Sequence, residues 1–358
     1  MAAYRLMKVN GLACQVNLPD APKGDGVHQL PPYHKIDVYN VDDYPACPSN
    51  WMRGSDKAAS FFFPVDTGKH LWLDFNMNWG NLHEVAAVMS IQGINPITGQ
   101  RTKTMKMEQY KDGDPCPTHS YDEDGELLED GEKFKSGRFC EKCGFKWPAQ
   151  NYLATTTCGR RTFWRDGWRA DDDTIRGFLI TAETMKGIAA QIIGDDRVWA
   201  IGISFFLSKE SKPPRQGNVL RSVGFEDASA GGVENYTQTS FKFSSPASSE
   251  VSLGGQHTNS SGHKWVRSRG GISGQSVSRD VREVETEKLE IAAGAKISQG
   301  LGGTDTNPLN YYQESPAGVI YGNYCTTDDF NTIIETGVVD RTAGGEGFMA
   351  GLETGNHD

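Results

Sequence analysis

Between Val198 and Leu207 an apolar side chain falls on every second residue: Trp199, Ile201, Ile203, Phe205 and Leu207. A helix turns every 3.6 residues and scatters such a set, whereas a strand gathers it on one face. The same alternation recurs over His70–Asn76, with Leu71, Leu73 and Phe75 together, and over Glu84–Ile94, with Val85, Ala87, Met89 and Ile91 together. It returns over Lys288–Ile297 and Ala317–Tyr324, while Phe61-Phe62-Phe63 and Thr174–Ile180 read as further strands. The expected fold class is therefore α+β and β-rich. Two helices are expected. One runs over Ala182–Ile193 with Thr181 as its cap, and the other is a short one from Thr326 through Glu335, stopped by Gly337. Asn95-Pro96-Ile97-Thr98-Gly99 reads as a turn.

Composition divides the chain into four parts. Residues 1–57 carry six prolines, which block long helices and suggest an extended N-terminal arm with a short strand near Lys35–Tyr39. Residues 58–215 form the sheet domain. Residues 216–280 are dominated by Ser, Gly, Asn and Thr, the composition of a linker or an assembly segment. Ordering such a stretch costs roughly 1–2 kcal/mol of backbone entropy per residue. Few apolar side chains offset that within one subunit, so contacts with neighbouring copies are the natural source. Residues 281–358 read as a second, C-terminal β-rich region with the short helix.

Inside the sheet domain lies Cys116-Pro-Thr-His119, and twenty residues later comes Cys140-Glu-Lys-Cys143-Gly144. Two intervening residues in each pair let one tight turn aim both side chains at a single ion. Three thiolates and one imidazole form a closed tetrahedral set suited to Zn²⁺. With all four positions filled by protein, the metal is structural, since catalysis needs an open position. A disulfide from Cys140 to Cys143 or Cys116 is the alternative use. Over about 110–148 the motif resembles a zinc ribbon, which implies an insertion projecting from the rim of a sheet. His119 is its departure from an all-cysteine ribbon.

After this insert, Arg160, Arg161, Trp164, Arg165, Trp168 and Arg169 interleave cations with rings. Such a set contacts another subunit, or docks nucleic acid through phosphate pairing and base stacking, or binds a glycan. Asp122-Glu-Asp-Gly-Glu126 reads as a polar hairpin tip rather than a calcium loop, and Asp171–Asp173 as a helix-cap or turn cluster rather than a divalent-ion site. Asp66-Thr67-Gly68 has the letters of an aspartic-protease triplet without its second copy. His34, His70 and His83 stand apart from any carboxylate partner in sequence, and no nucleophile-elbow, zinc-protease or Walker pattern occurs.

The net charge of −10 disfavours whole-surface binding to nucleic acid or an anionic membrane. No stretch approaches the ~20 apolar residues of a membrane-spanning helix, and Met1–Leu18 lacks the pattern of a secretory signal. Seven cysteines, three of them zinc ligands, fit a reducing compartment. The sequence thus suggests a non-enzymatic structural or assembly protein with copies of itself as partners, cytoplasmic or within a cytoplasmically assembled particle. A nucleic-acid or glycan-binding module is the second reading, and an enzyme with a site in the sheet domain is the third.

Overall fold

The computed structural model describes residues 3–29, 33–102, 104–111, 114, 140, 146, 148–159, 162–170, 174–183, 186–193, 201–212, 282–300 and 302–337. Among the described residues there are sixteen strands, in chain order β1 (Met7–Val9), β2 (Leu12–Asn17), β3 (Val27–His28), β4 (Tyr39–Asn40), β5 (Ala58–Pro64), β6 (His70–Asp74), β7 (His83–Ile91) and β8 (Ile94–Asn95), then β9 (Gln100–Arg101), β10 (Tyr152–Ala154), β11 (Trp164–Arg165), β12 (Gly167–Arg169), β13 (Ile175–Thr181), β14 (Ile201–Ser211), β15 (Glu290–Ile297) and β16 (Gly318–Cys325). Two helices accompany them, α1 (Ile188–Ile193) and α2 (Thr327–Glu335).

The strands make two mixed sheets. Sheet I runs β1-β2-β6-β13-β15-β3, with β11 against β6 and β12 against β13. Sheet II runs β4-β5-β16-β14-β7-β8-β9, with β10 beside β7. One core joins their inner faces. Sheet I contributes Leu12, Val16, Leu71, Leu73, Phe178 and Ile291, and sheet II contributes Phe61, Phe63, Met89, Ile203, Phe205 and Ile320. The alternation in the sequence thus selects the face that meets the opposite sheet.

Several strands are buried on both faces. Ala86, Val88 and Phe206 pack outward with Tyr152 and Tyr312 in a second apolar cluster. Phe62 does the same in a third, with Tyr44, Cys47, Cys325 and Ile333 of α2. Here α2 is capped as expected. Thr326 Oγ1 accepts from the Asp329 N–H, two acidic residues occupy the first turn, and Gly337 follows at φ +87°.

Four expectations change. The strands of 281–358 do not form a region of their own: β16 lies between β5 and β14, and β15 lies between β13 and β3. The N-terminal arm is also part of the sandwich, because every residue of β2 is buried in sheet I. Lys35–Tyr39 contributes only isolated bridges to Asn17 and Tyr4 beside the two-residue β4. The helix expected over Ala182–Ile193 begins later, at Ile188. Glu290 of β15 occupies the space beside Gly187 and accepts its N–H, which fixes the chain there outside a helix.

Ile203 is sealed in the shared core, whereas Thr326 caps a peripheral helix. Ile203→Ala is expected to cost about 2–5 kcal/mol and Thr326→Ala about 1 kcal/mol, read as shifts in urea unfolding. Equal costs would contradict the layering described.

Candidate functional site

The Arg/Trp segment folds as two short strands with a polar residue between them. β11 pairs with β6, placing Arg165 opposite Leu73 and Trp164 opposite Asp74, and β12 pairs with β13. Because Leu73 faces the shared core, so does Arg165. Arg165 is 1% exposed, and its guanidinium donates through Nη2 to the Pro96 carbonyl at 2.6 Å. The Arg169 backbone N–H donates to the same carbonyl at 3.0 Å. Pro96 sits in the turn joining β8 to β9, held by Asn95 Oδ1, which accepts from the N–H groups of Ile97 and Thr98. Arg165 and Arg169 thereby tie sheet I to the end of sheet II.

Asp166, between β11 and β12, brings its carboxylate 3.6 Å from His70 Nε2. The two residues are 0% and 1% exposed. At this separation the contact is electrostatic rather than a hydrogen bond. A Cβ on Gly177 would stand 2.6 Å from the His70 ring, so the ring fits only over a glycine. Burial pushes the Asp166 carboxyl above the usual carboxylate range, with His70 and Arg165 opposing the shift. Burial likewise lowers Arg165 to about 10, with Asp166 acting in the other direction. A histidine beside a carboxylate is the pairing that acid–base chemistry uses, but both groups are sealed from solvent. In the chain as folded they act as a structural joint.

Of the six residues the sequence set out for ligand or subunit contact, Arg160 and Arg161 lie outside the described residues. Trp164, Arg165, Trp168 and Arg169 are all buried within the chain. Trp168 meets Phe178 edge-on at 4.9 Å. The cause is strand pairing, which spacing alone does not reveal. The one local signal is Gly167, directly opposite Gly177 in register, since both sit where the chains approach closely. Asp66 accepts from Thr327 Oγ1 at 2.8 Å and so fastens α2, and the His83 ring contacts the Ser208 carbonyl.

Of the four expected metal ligands, Cys116, His119 and Cys143 lie outside the described residues, as does the 122–126 hairpin tip. Cys140 is buried. Among the described residues no group of three or more His, Cys, Asp or Glu side chains is placed to hold a metal. The root of the insert is well defined. The Tyr110 N–H donates to the Ala149 carbonyl at 2.7 Å, the Asn151 N–H to the Glu108 carbonyl at 3.2 Å, and Glu108 N–H to Asn151 Oδ1 at 2.8 Å. This antiparallel neck continues into a buried network. Gln109 Nε2 donates to the Tyr152 hydroxyl, and Tyr152 and Tyr312 both donate to Asp305 Oδ2, at 3.1 and 2.8 Å. Burial raises both phenols, and Asp305 adds to the shift.

Because the Asp166 pKa is raised in the fold, its contribution to stability is fully present below the unfolded value, ~4, and is lost as pH rises through the folded value. Urea unfolding between pH 4 and 7 should therefore show the wild type losing stability relative to Asp166→Asn as pH rises. Parallel profiles would contradict this placement of the charge. The chain matches no protein-family model, no curated protein and no solved structure.

Proposed function

We propose that this chain is a non-enzymatic structural subunit that assembles with copies of itself, and that Cys116, His119, Cys140 and Cys143 hold a structural Zn²⁺ in the insertion. The observation carrying the reading is the use made of the interior. Apolar side chains fill the space between the sheets, and the buried charged groups Arg165, Asp166 and His70 hold neighbouring strands and turns together. Such a body is suited to bearing contacts rather than to admitting a substrate.

The metal reading draws on donor chemistry and on the neck. Three thiols and an imidazole suit Zn²⁺, and Cys140 is buried as a ligand sulfur would be. The neck brings Tyr110 and Ala149 into hydrogen-bond contact, so the residues between them form a closed loop. Closing a loop of this length carries an entropic cost that a central ion offsets. For self-contact, the polar 216–280 stretch offers backbone and hydroxyl groups to neighbouring copies, in keeping with its composition.

Mass photometry of freshly purified chain, with zinc measured on the same sample, tests both halves. The expected result is particles or filaments far larger than one chain, with about one zinc per chain. A zinc-loaded species that stays monomeric at high concentration would remove self-assembly, and assemblies free of zinc would remove the metal.

A further inference from the structure

The outer face of sheet I holds a set of polar atoms that the joint does not use. Asn17 of β2 stands directly opposite Trp72 of β6, with Lys35 bridging to Asn17 from the other side. Directly opposed residues share a face, so the amide and the indole are neighbours. Asn17 is 0% exposed. Among the described residues neither its Nδ2 nor its Oδ1 has a hydrogen-bond partner, and neither does Trp72 Nε1. Buried amides are almost always satisfied, so one left open at both ends calls for an explanation. Aromatic rings wall the same place. Tyr33 lies on Trp72 at 4.4 Å with 24° between the planes, and Trp164 meets Trp72 at 5.2 Å. Tyr33 is itself 53% exposed.

We propose that this face is a binding site for a neutral polyhydroxylated ring, a monosaccharide unit, which stacks on Trp72 in place of Tyr33 and hydrogen-bonds to the Asn17 amide and the Trp72 indole N–H. A side-chain amide donates and accepts at once, which suits hydroxyl groups that do both, and the indole adds a second donor. The C–H face of a sugar ring complements an aromatic plane. The flanking charges are opposite, Lys35 and Asp74, so the site favours no ion of either sign. Asp74 is already occupied through Oδ1 by the backbone and side-chain nitrogens of Asn76. Tyr33 is the displaceable lid, because half of its surface already lies in water. This contact uses Trp164 through sheet I and does not depend on self-assembly or on zinc.

The test is saturation-transfer NMR on the full chain with glucose, galactose, mannose and N-acetylglucosamine at millimolar concentration. At least one sugar should give transfer to its ring protons. Tyr33→Ala, at a half-exposed position that leaves the core intact, should bind that sugar about threefold or more tightly because the lid is gone, and Asn17→Leu should bind it about tenfold more weakly. If Asn17→Leu does not fold, Trp72→Phe, which removes the indole donor and keeps an aromatic plane, takes its place with the same expectation of weakening. Absence of transfer from all four sugars in both wild type and Tyr33→Ala would overturn the proposal. So would binding that neither Tyr33→Ala nor the amide or indole variant alters.

Discussion

The pairing of β7 with β14 is the constraint from which the rest of the sandwich follows. The two strands run antiparallel from Ile91 opposite Ile201 to Val85 opposite Leu207. Val85, Ala87, Met89, Ile201, Ile203 and Phe205 enter the shared core, while Ala86, Val88 and Phe206 enter the outer cluster. A strand pair apolar on both faces has no solvent side. It must be covered twice, and the chain supplies both covers. Sheet I closes the inner face, and two segments, one bearing Tyr152 and the other Tyr311 and Tyr312, close the outer one. A shift of one residue would exchange the two faces, and Phe205 and Phe206 would each meet the other's cavity. Register is therefore fixed by packing on both sides.

This double burial explains why the sequence reveals strands better than sheets. Alternation located β6, β7, β14, β15 and β16 to within a few residues, and the Thr326 cap and Gly337 stop bounded α2, because each signal is local. Partnership is not local. Nothing in Gly318–Cys325 announces that it pairs in parallel with Ala58–Pro64, more than two hundred residues earlier, while pairing antiparallel with β14 on its other side. Splitting the chain at its polar stretch separates strands that belong to one core. The Arg/Trp segment misleads for a related reason. Charge and aromatic content read as surface, but Arg165 is held inside because Pro96 offers a carbonyl from the opposite sheet. His70 and Asp166, ninety-six positions apart, meet only through the register of β6 with β11 and β13.

The insertion shows a different division of labour. Its neck bonds join residues 106–110 to 149–151, and Gln109, Tyr152, Asp305 and Tyr312 bind that neck to the outer cluster of sheet II. None of these bonds draws on the residues between the neck strands. The root at 106–110 and 149–151 is thus held by side chains of the sandwich itself. Asp305 is the keystone. Its Oδ2 takes two phenols and its Oδ1 takes the backbone and side chain of Asn307. Losing this carboxylate would leave Tyr152 and Tyr312 to find new acceptors in an apolar setting, a heavier penalty than losing either tyrosine hydroxyl alone.

Asp305 and Asn17 mark two opposite treatments of buried polarity in one fold. Around Asp305 both carboxylate oxygens have partners, and the network binds three separate stretches of chain. Around Asn17 the amide is enclosed with none among the described residues, although Trp72 and Gln15 stand beside it. Packing alone does not account for that choice, because an apolar side chain would fill the buried position opposite Trp72 without leaving a donor and an acceptor unsatisfied. An amide there is stabilising only if something with hydroxyl or carbonyl groups enters beside it. The cover over that amide is the half-exposed Tyr33 ring stacked on Trp72, so the cost of the open amide and the solvent-facing side of its cover meet at the same place on sheet I.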